Sequence, residues 1–137
     1  MGKTAVIKLA GIDLYFDFSL ITYDYCPILF IANGSDGHLY LCHCSEVRFG
    51  IRWNVSRTTY HIVQRLIEQQ ISIVEALRLG SKVFVSTYKH NEGFKSQVVE
   101  FDEIDELDLP DADLYLDYPD EGVEEALIKR ISKETLR

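Results

Sequence analysis

The sequence predicts an α+β fold built on an antiparallel sheet or a small half-open barrel, with two short central helices and a C-terminal helix. Three observations predict it: strand-like segments fill the first 55 residues, helical spacing follows over residues 60–80, and two more strand-like segments come after it. Strands grouped ahead of helices are typical of α+β folds and not of parallel α/β folds. A chain of 137 residues fits a single domain, residues 1–137.

The first part of the chain predicts five strands. Each strand has apolar side chains at alternate positions, and the segments are AVIKLAG, IDLYFDFSLITYDY, ILFIAN, HLYLCHC and FGIRWNV. The intervening NGSDG predicts a hairpin turn, because Asn, Asp and Gly tolerate left-handed backbone angles. In the fifth strand Trp53 shares a face with Ile51 and Val55, so we expect it to fill the core.

The first helix is predicted after this strand. Tyr60, Val63 and Leu66 recur at helical spacing. Either Ser56 or Thr58 is expected to cap its start, since a hydroxyl oxygen can accept a hydrogen bond from an unpaired N–H group of the first turn.

The second helix and the C-terminal elements have their own signals. Ser72 and Glu75 have the spacing of a capping box, and Gly80 is expected to end the helix. SKVFVSTY and KSQVVEF then predict a second hairpin. An amphipathic helix is predicted over about residues 121–136, and its apolar face has two alternative roles: docking on the domain, or forming a homodimer.

The net charge of −8 comes from one segment. Residues 1–99 sum to +2, residues 100–125 hold thirteen acidic side chains and no basic one, and residues 126–137 sum to +3. We call residues 100–125 the acidic segment. Leucine and tyrosine are interleaved with its acids, whereas a solvated tail would lack them. We therefore expect Leu114, Tyr115 and Leu116 to pack on the sheet, so that the acidic segment either wraps the domain or is displayed on it with its charge on a fixed surface.

Composition argues against several functional classes. Hydrophobic residues make up 47% of the chain and charged residues 26%, so global disorder is not expected. No apolar run approaches ~20 residues, and we expect a cytoplasmic protein without a membrane segment. Negative net charge disfavours direct binding to nucleic acid. The sequence has no phosphate-binding loop, nucleophile elbow or metalloprotease motif, so it predicts no catalytic residue and no cofactor.

The three cysteines are typical of a reducing compartment, because an odd number does not make a disulfide framework. Cys42, His43 and Cys44 are consecutive, but strand alternation sends His43 to the opposite face from the two cysteines. These three side chains therefore cannot bind one ion. The acidic segment lacks the frame of a calcium-binding loop, and no metal site is predicted.

The middle of the chain also resembles a known family. The matching residues are 23–30 (YDYCPILF), 38–42 (HLYLC), 52–56 (RWNVS), 71–72 (IS), 75–77 (EAL) and 109–116 (LPDADLYL). Over about residues 12–118 this pattern is similar to a family of small bacterial or phage proteins of uncharacterised function. The resemblance implies a compact bacterial or phage-encoded domain linked to phage defence, and it carries over no catalytic residue.

The acidic segment is the main functional clue. Carboxylates held at short spacing imitate phosphates, and charge opposite to that of a partner speeds association. We therefore predict a non-enzymatic protein-binding module: an inhibitor, antitoxin or immunity-type protein whose partner is basic, such as a nuclease or another nucleic-acid-handling protein. The partner-binding residues are expected to be Asp102, Glu103, Asp105, Glu106, Asp108, Asp111, Asp113, Tyr115 and Tyr118.

Two alternatives stay open at this point. In the first, the acidic segment is solvated and only keeps the domain in solution. In the second, the protein is an enzyme of unrecognised type, which would need a cleft holding a carboxylate or cysteine of perturbed pKa.

Overall fold

Among the residues that the structure describes, seven strands form one antiparallel sheet in which each strand pairs with the next along the chain. The computed structural model describes residues 4–47 and 50–135, without the side chains of residues 46, 47 and 133–135. The strands are β1 (Ile7–Leu9), β2 (Ile12–Tyr23), β3 (Cys26–Gly34), β4 (Leu39–Val47), β5 (Gly50–Thr58), β6 (Val83–Lys89) and β7 (Gly93–Val99). The α+β class and the antiparallel sheet are thus confirmed.

The sheet curls until its two ends approach each other. β1 lies beside β6 and β7, and the Ser86 hydroxyl of β6 donates a hydrogen bond to the backbone oxygen of Lys8 in β1 at 3.4 Å. The sheet is therefore nearly closed, which agrees with the predicted small half-open barrel. The predicted NGSDG turn joins β3 to β4, with Gly37 in the left-handed region at φ 84°.

Alternation along the strands separates two apolar clusters. In β3, Phe30 and Ala32 belong to the inner cluster, which fills the barrel, whereas Leu29 and Ile31 belong to the outer cluster. Trp53 packs against the inner cluster with its ring centroid 5.9 Å from that of Phe94, as predicted from its place beside Val55. The outer cluster lies between the sheet and the helices.

In the described part of the chain, three α-helices cover the outer cluster: α1 (Tyr60–Ile67), α2 (Ile73–Arg78) and α3 (Val123–Thr135). The cap of α1 is Thr59, whose hydroxyl accepts a hydrogen bond from the N–H of Ile62 at 3.3 Å. The prediction of Ser56 or Thr58 as this cap is wrong. Both are buried members of β5 and pair with neighbouring strands, so the chain is not free to turn into a helix before Thr59.

Gly80 lies just beyond α2, where the chain comes close to β5. A Cβ atom at this position would contact the Ser56 hydroxyl and would lie 2.9 Å from the backbone oxygen of Arg57. The same Ser56 hydroxyl donates a hydrogen bond to the carbonyl of Leu77 at 2.8 Å. Gly80 therefore permits close packing of α2 on β5, a role that differs from the left-handed helix end expected of a glycine there.

Candidate functional site

The acidic segment starts with two single turns of 3-10 helix, Phe101–Glu103 and Glu106–Asp108. Its own carboxylates complete these turns. Glu103 accepts a hydrogen bond from the N–H of Glu100 at 3.2 Å, and Asp105 accepts one from the N–H two residues later at 3.0 Å. Carboxylates placed this way satisfy N–H groups that have no partner within a first turn.

Asp108 attaches the segment to the outer face of β5. Its carboxylate accepts a hydrogen bond from Nη1 of Arg52 at 2.9 Å, and its backbone oxygen accepts one from Nδ2 of Asn54 at 2.9 Å. Asn54 is buried, and its Nδ2 also lies 3.2 Å from Nδ1 of His43. Asp108, which the sequence analysis predicted to bind a partner, therefore already forms hydrogen bonds within the protein.

Burial governs the charge of His43 beneath this contact. Desolvation lowers the pKa of His43 to about 4, and the nearby charge of Asp108 opposes that change only in part. The imidazole is therefore neutral at physiological pH. Cys42, the residue before it, belongs to the inner cluster, so the predicted separation of Cys42 and His43 to opposite faces is observed.

Arg78 joins α2 to the start of the acidic segment. Its Nη1 lies 2.9 Å from Oδ1 of Asp102, and its guanidinium carbon lies 4.6 Å from the centroid of the Phe101 ring. Both charged side chains are exposed, so the ion pair contributes little to stability. The contact nevertheless sets the position of the guanidinium by stacking on the ring.

Hydrogen bonds from α2 and from the loop before it hold the middle of the segment. The N–H of Ile73 donates to the carbonyl of Leu114 at 3.0 Å, and Nε2 of Gln69 donates to the carbonyl of Leu116 at 3.2 Å. Leu116 is buried in the outer cluster, whereas Leu114 and Tyr115 are exposed. The expectation that all three side chains pack on the sheet therefore holds for Leu116 alone, because these hydrogen bonds place the segment along α2 and the loop that precedes it.

Asp120 ties the end of the segment to β2. Its carboxylate accepts hydrogen bonds from the hydroxyl of Thr22 at 2.6 Å and from the N–H of Thr22 at 3.2 Å. The N–H of Asp120 donates in turn to the carbonyl of Leu20 at 2.8 Å. Residues 108, 116 and 120 are thus three separate attachments of the acidic segment to the rest of the protein.

The apolar face of α3 packs on the same outer cluster through Val123 and Leu127. Arg130 of α3 forms an ion pair with Asp17 of β2 at 2.6 Å, and this hydrogen bonding raises the pKa of Arg130. Ile128 remains exposed. The homodimer suggested for this helix stays a prediction.

Most carboxylates of the segment face solvent. Among the basic side chains that the structure describes, ion pairs reach Asp102 and Asp108 alone. Six of the predicted partner-binding residues have exposed carboxylates: Asp102, Glu103, Asp105, Glu106, Asp111 and Asp113. Tyr115 is exposed as well, and Tyr118 and Leu107 are 93% and 92% exposed. The surface therefore combines dense negative charge with accessible apolar groups.

A groove of about 290 Å³ separates α2 from the acidic segment. Its half-buried lining is apolar and includes Val74, Ile104 and Leu109, and its exposed carboxylates are Asp102, Glu106 and Asp111. The sequence analysis did not predict this groove. Val74 and Arg78 lie outside the acidic segment, on α2, and no local signal in the sequence places them beside it.

The described residues contain no group of three or more His, Cys, Asp or Glu side chains arranged to hold a metal ion. None of the helices within residues 4–47 and 50–135 has the length and apolar character needed to cross a bilayer. No protein-family model, curated protein or solved structure matches the chain.

Proposed function

We propose that the protein is a non-enzymatic protein-binding module of a bacterial or phage-infected cytoplasm, and that its acidic segment captures a basic, nucleic-acid-handling protein. In this role it acts as an inhibitor, antitoxin or immunity-type protein. One observation carries the proposal: exposed carboxylates stand on a backbone attached to the domain at Asp108, Leu116 and Asp120. A segment that is already attached has less conformational entropy to lose on binding.

The charge of this surface supports a basic partner. The acidic segment has thirteen carboxylates, and the described basic side chains pair with two of them, Asp102 and Asp108. The remaining charge attracts a cationic surface over roughly one Debye length, about 8 Å at physiological ionic strength. Attraction of this kind raises association rates and depends on salt.

Accessible apolar groups provide the other half of an interface. Leu107 and Tyr118 project from the same segment as the carboxylates. Tyrosines and apolar side chains at the centre of an interface contribute much of the binding free energy, whereas exposed charges contribute mainly to rate and specificity. The acidic segment thus offers both components that a phosphate-mimicking inhibitor needs.

The proposal is tested by capture from a bacterial lysate at low and at high salt, with mass spectrometry of the captured proteins. The tagged wild type is compared with a variant carrying Asp102→Asn, Glu103→Gln, Asp105→Asn and Glu106→Gln. The amide oxygens at 103 and 105 can still accept the hydrogen bonds of the two 3-10 turns, so the fold is expected to persist. We expect a basic protein to bind the wild type at low salt and to be lost from the variant.

A matched control removes the same number of charges elsewhere: Asp13→Asn, Asp24→Asn, Glu68→Gln and Glu92→Gln. Capture should survive in this control, because these residues lie outside the acidic segment. Equal capture by the first variant and the wild type would contradict the proposal. Beads that stay empty under both salt conditions would leave the acidic segment with a solubilising role.

A further inference from the structure

The groove between α2 and the acidic segment has the dimensions of a side-chain site. Its volume of about 290 Å³ lies below the range of roughly 300–1,000 Å³ that is usual for drug-sized ligands. Its apolar lining comes from two parts of the chain: Val74 of α2, and Ile104 and Leu109 of the acidic segment. A groove of this size and lining accommodates a large apolar side chain of a bound peptide.

The charges around the groove favour a cationic occupant. Its lining contains Asp102, Glu106 and Asp111 and one cation, Arg78, which gives three negative charges against one positive charge. Arg78 is paired with Asp102. Among the basic side chains that the structure describes, none forms an ion pair with Glu106 or Asp111. These two carboxylates are therefore available to a positive charge from outside.

Arg78 also shows how this surface holds a guanidinium. The group stacks at 4.6 Å from the centroid of the Phe101 ring while it contacts a carboxylate oxygen of Asp102 at 2.9 Å. Guanidinium suits such a position better than ammonium does, since it is planar, weakly hydrated and able to bind a carboxylate through two N–H groups. Arginine is thus the basic side chain that fits beside this apolar lining.

We propose that the groove binds a peptide segment of the basic partner in which an arginine stands next to a large apolar side chain. The apolar side chain occupies the space between Val74 and Leu109, and the guanidinium pairs with Glu106 and Asp111. This inference rests on the proposed function and adds to it the chemistry of the partner's docking segment.

The first test is an NMR titration of the full ¹⁵N-labelled chain with three acetylated and amidated peptides: Arg-Leu-Arg, Arg-Ser-Arg and Glu-Leu-Glu. Arg-Leu-Arg should shift the amide signals of Val74, Ile104 and Ala112. Arg-Ser-Arg should bind about tenfold more weakly, because it lacks the leucine that the groove buries. Glu-Leu-Glu should produce no shifts at these amides.

Two pairs of variants localise the binding. Glu106→Gln with Asp111→Asn should weaken Arg-Leu-Arg by about tenfold, since it removes both proposed partners of the guanidinium. Asp24→Asn with Glu68→Gln removes the same charge at exposed positions outside the acidic segment and outside the groove lining, and should leave the affinity within about twofold. Ala112→Trp should block the groove, whereas Val98→Trp adds the same ring at an exposed position of β7, outside both the lining and the acidic segment, and should leave the affinity unchanged.

Several results would contradict peptide binding in the groove without contradicting the proposed function. They are equal weakening by the two charge-removing pairs, full affinity in the Ala112→Trp variant, or shifts spread over residues 113–125 without a focus at the groove. The same conclusion would follow if Ala112→Trp captured the lysate partner at the wild-type level while the four-carboxylate variant lost it. Capture that the four-carboxylate variant retains contradicts the proposed function itself, whatever the peptides do.

Discussion

Asp108 accepts a hydrogen bond from Nη1 of Arg52 at 2.9 Å, and this contact joins residues 56 positions apart in the sequence. It marks one of two places where the acidic segment meets the sheet, the other being the contact of Asp120 with Thr22 of β2. Arg52 and Asn54 both lie on the outer face of β5, so two alternate residues of one strand bind the side chain and the backbone of the same aspartate. The negative segment is thus positioned by one of the arginines of the nearly neutral body.

The Arg52–Asp108 pair should couple more strongly than a fully solvated pair. The two side chains are 34% and 24% exposed, and a double-mutant cycle with Arg52→Met and Asp108→Asn should give a coupling of about 0.5–1 kcal/mol in the free energy of unfolding. Lys95 and Glu92, which are 72% and 49% exposed, form the control pair. Its coupling in urea denaturation should be near zero. Equal values for the two cycles would show that the carboxylate of Asp108 does not help to attach the segment.

His43 should make stability depend on pH in a defined window. Its pKa in the folded protein is about 4, against an ordinary value of 6.5. Between these values the unfolded chain binds a proton that the folded protein excludes, so the free energy of unfolding falls as the pH falls. Above pH 6.5 the titration of His43 no longer lowers the free energy of unfolding, because the imidazole is neutral in both the folded and the unfolded state.

His43→Gln tests this dependence. Carboxylates titrate in part of the same window, so the relevant quantity is the difference between the variant and the wild type in denaturant unfolding at several pH values. That difference should change between pH 6.5 and 4 and stay constant above it. His61→Gln, at an exposed position of α1, is the control for removing an imidazole from the surface. A constant difference for His43→Gln across the window would show that the imidazole is not desolvated.

The strands could be predicted because their signal is local. Side chains alternate between the two faces of a strand, which places Phe30 and Ala32 on one face and Leu29 and Ile31 on the other. This pattern can be recognised from consecutive residues of the sequence. The start of α1 could not be fixed in the same way. Ser56, Thr58 and Thr59 are all capable caps, and the choice depends on how far β5 stays paired with its neighbours.

The attachments of the acidic segment have no local signal at all. The contacts of Asp102 with Arg78 and of Asp120 with Thr22 join residues 24 and 98 positions apart, and they exist only once the sheet and helices have assembled. The sequence therefore predicts that the segment is acidic and amphipathic. Its groove depends on Val74 and Arg78, which α2 brings to it from outside the segment.

Gly80→Ala should destabilise the protein through overpacking. The added Cβ would contact the Ser56 hydroxyl and the backbone of Arg57, and we expect a loss of about 1–3 kcal/mol in the free energy of unfolding. In a Ser56→Ala background the loss should be smaller, because the closest atom is missing. Gly11→Ala is the control: its Cβ meets open space, and only its φ of +79° opposes the change. A loss at Gly80 no larger than at Gly11 would contradict close packing of α2 on β5.

The cysteines should report on the integrity of the nearly closed barrel. Cys26 is exposed at the start of β3, whereas Cys42 is fully buried in the inner cluster, where desolvation raises the pKa of its thiol. The thiolate is the species that reacts with maleimides, so both burial and a raised pKa slow the labelling of Cys42. In the folded protein we expect rapid labelling of Cys26 and no labelling of Cys42 on the same timescale.

Peptide mass spectrometry over a time course measures both rates, and Cys26→Ser confirms which site reacts first. Labelling of Cys42 should rise with denaturant in parallel with global unfolding, because the inner cluster is enclosed by the whole sheet. Labelling of Cys42 well below the unfolding transition would identify a local opening. The place for such an opening is the approach of β1 to β6 and β7, where the hydrogen bond from Ser86 to Lys8 spans 3.4 Å. Ser86→Ala should then accelerate the labelling of Cys42 and leave that of Cys26 unchanged.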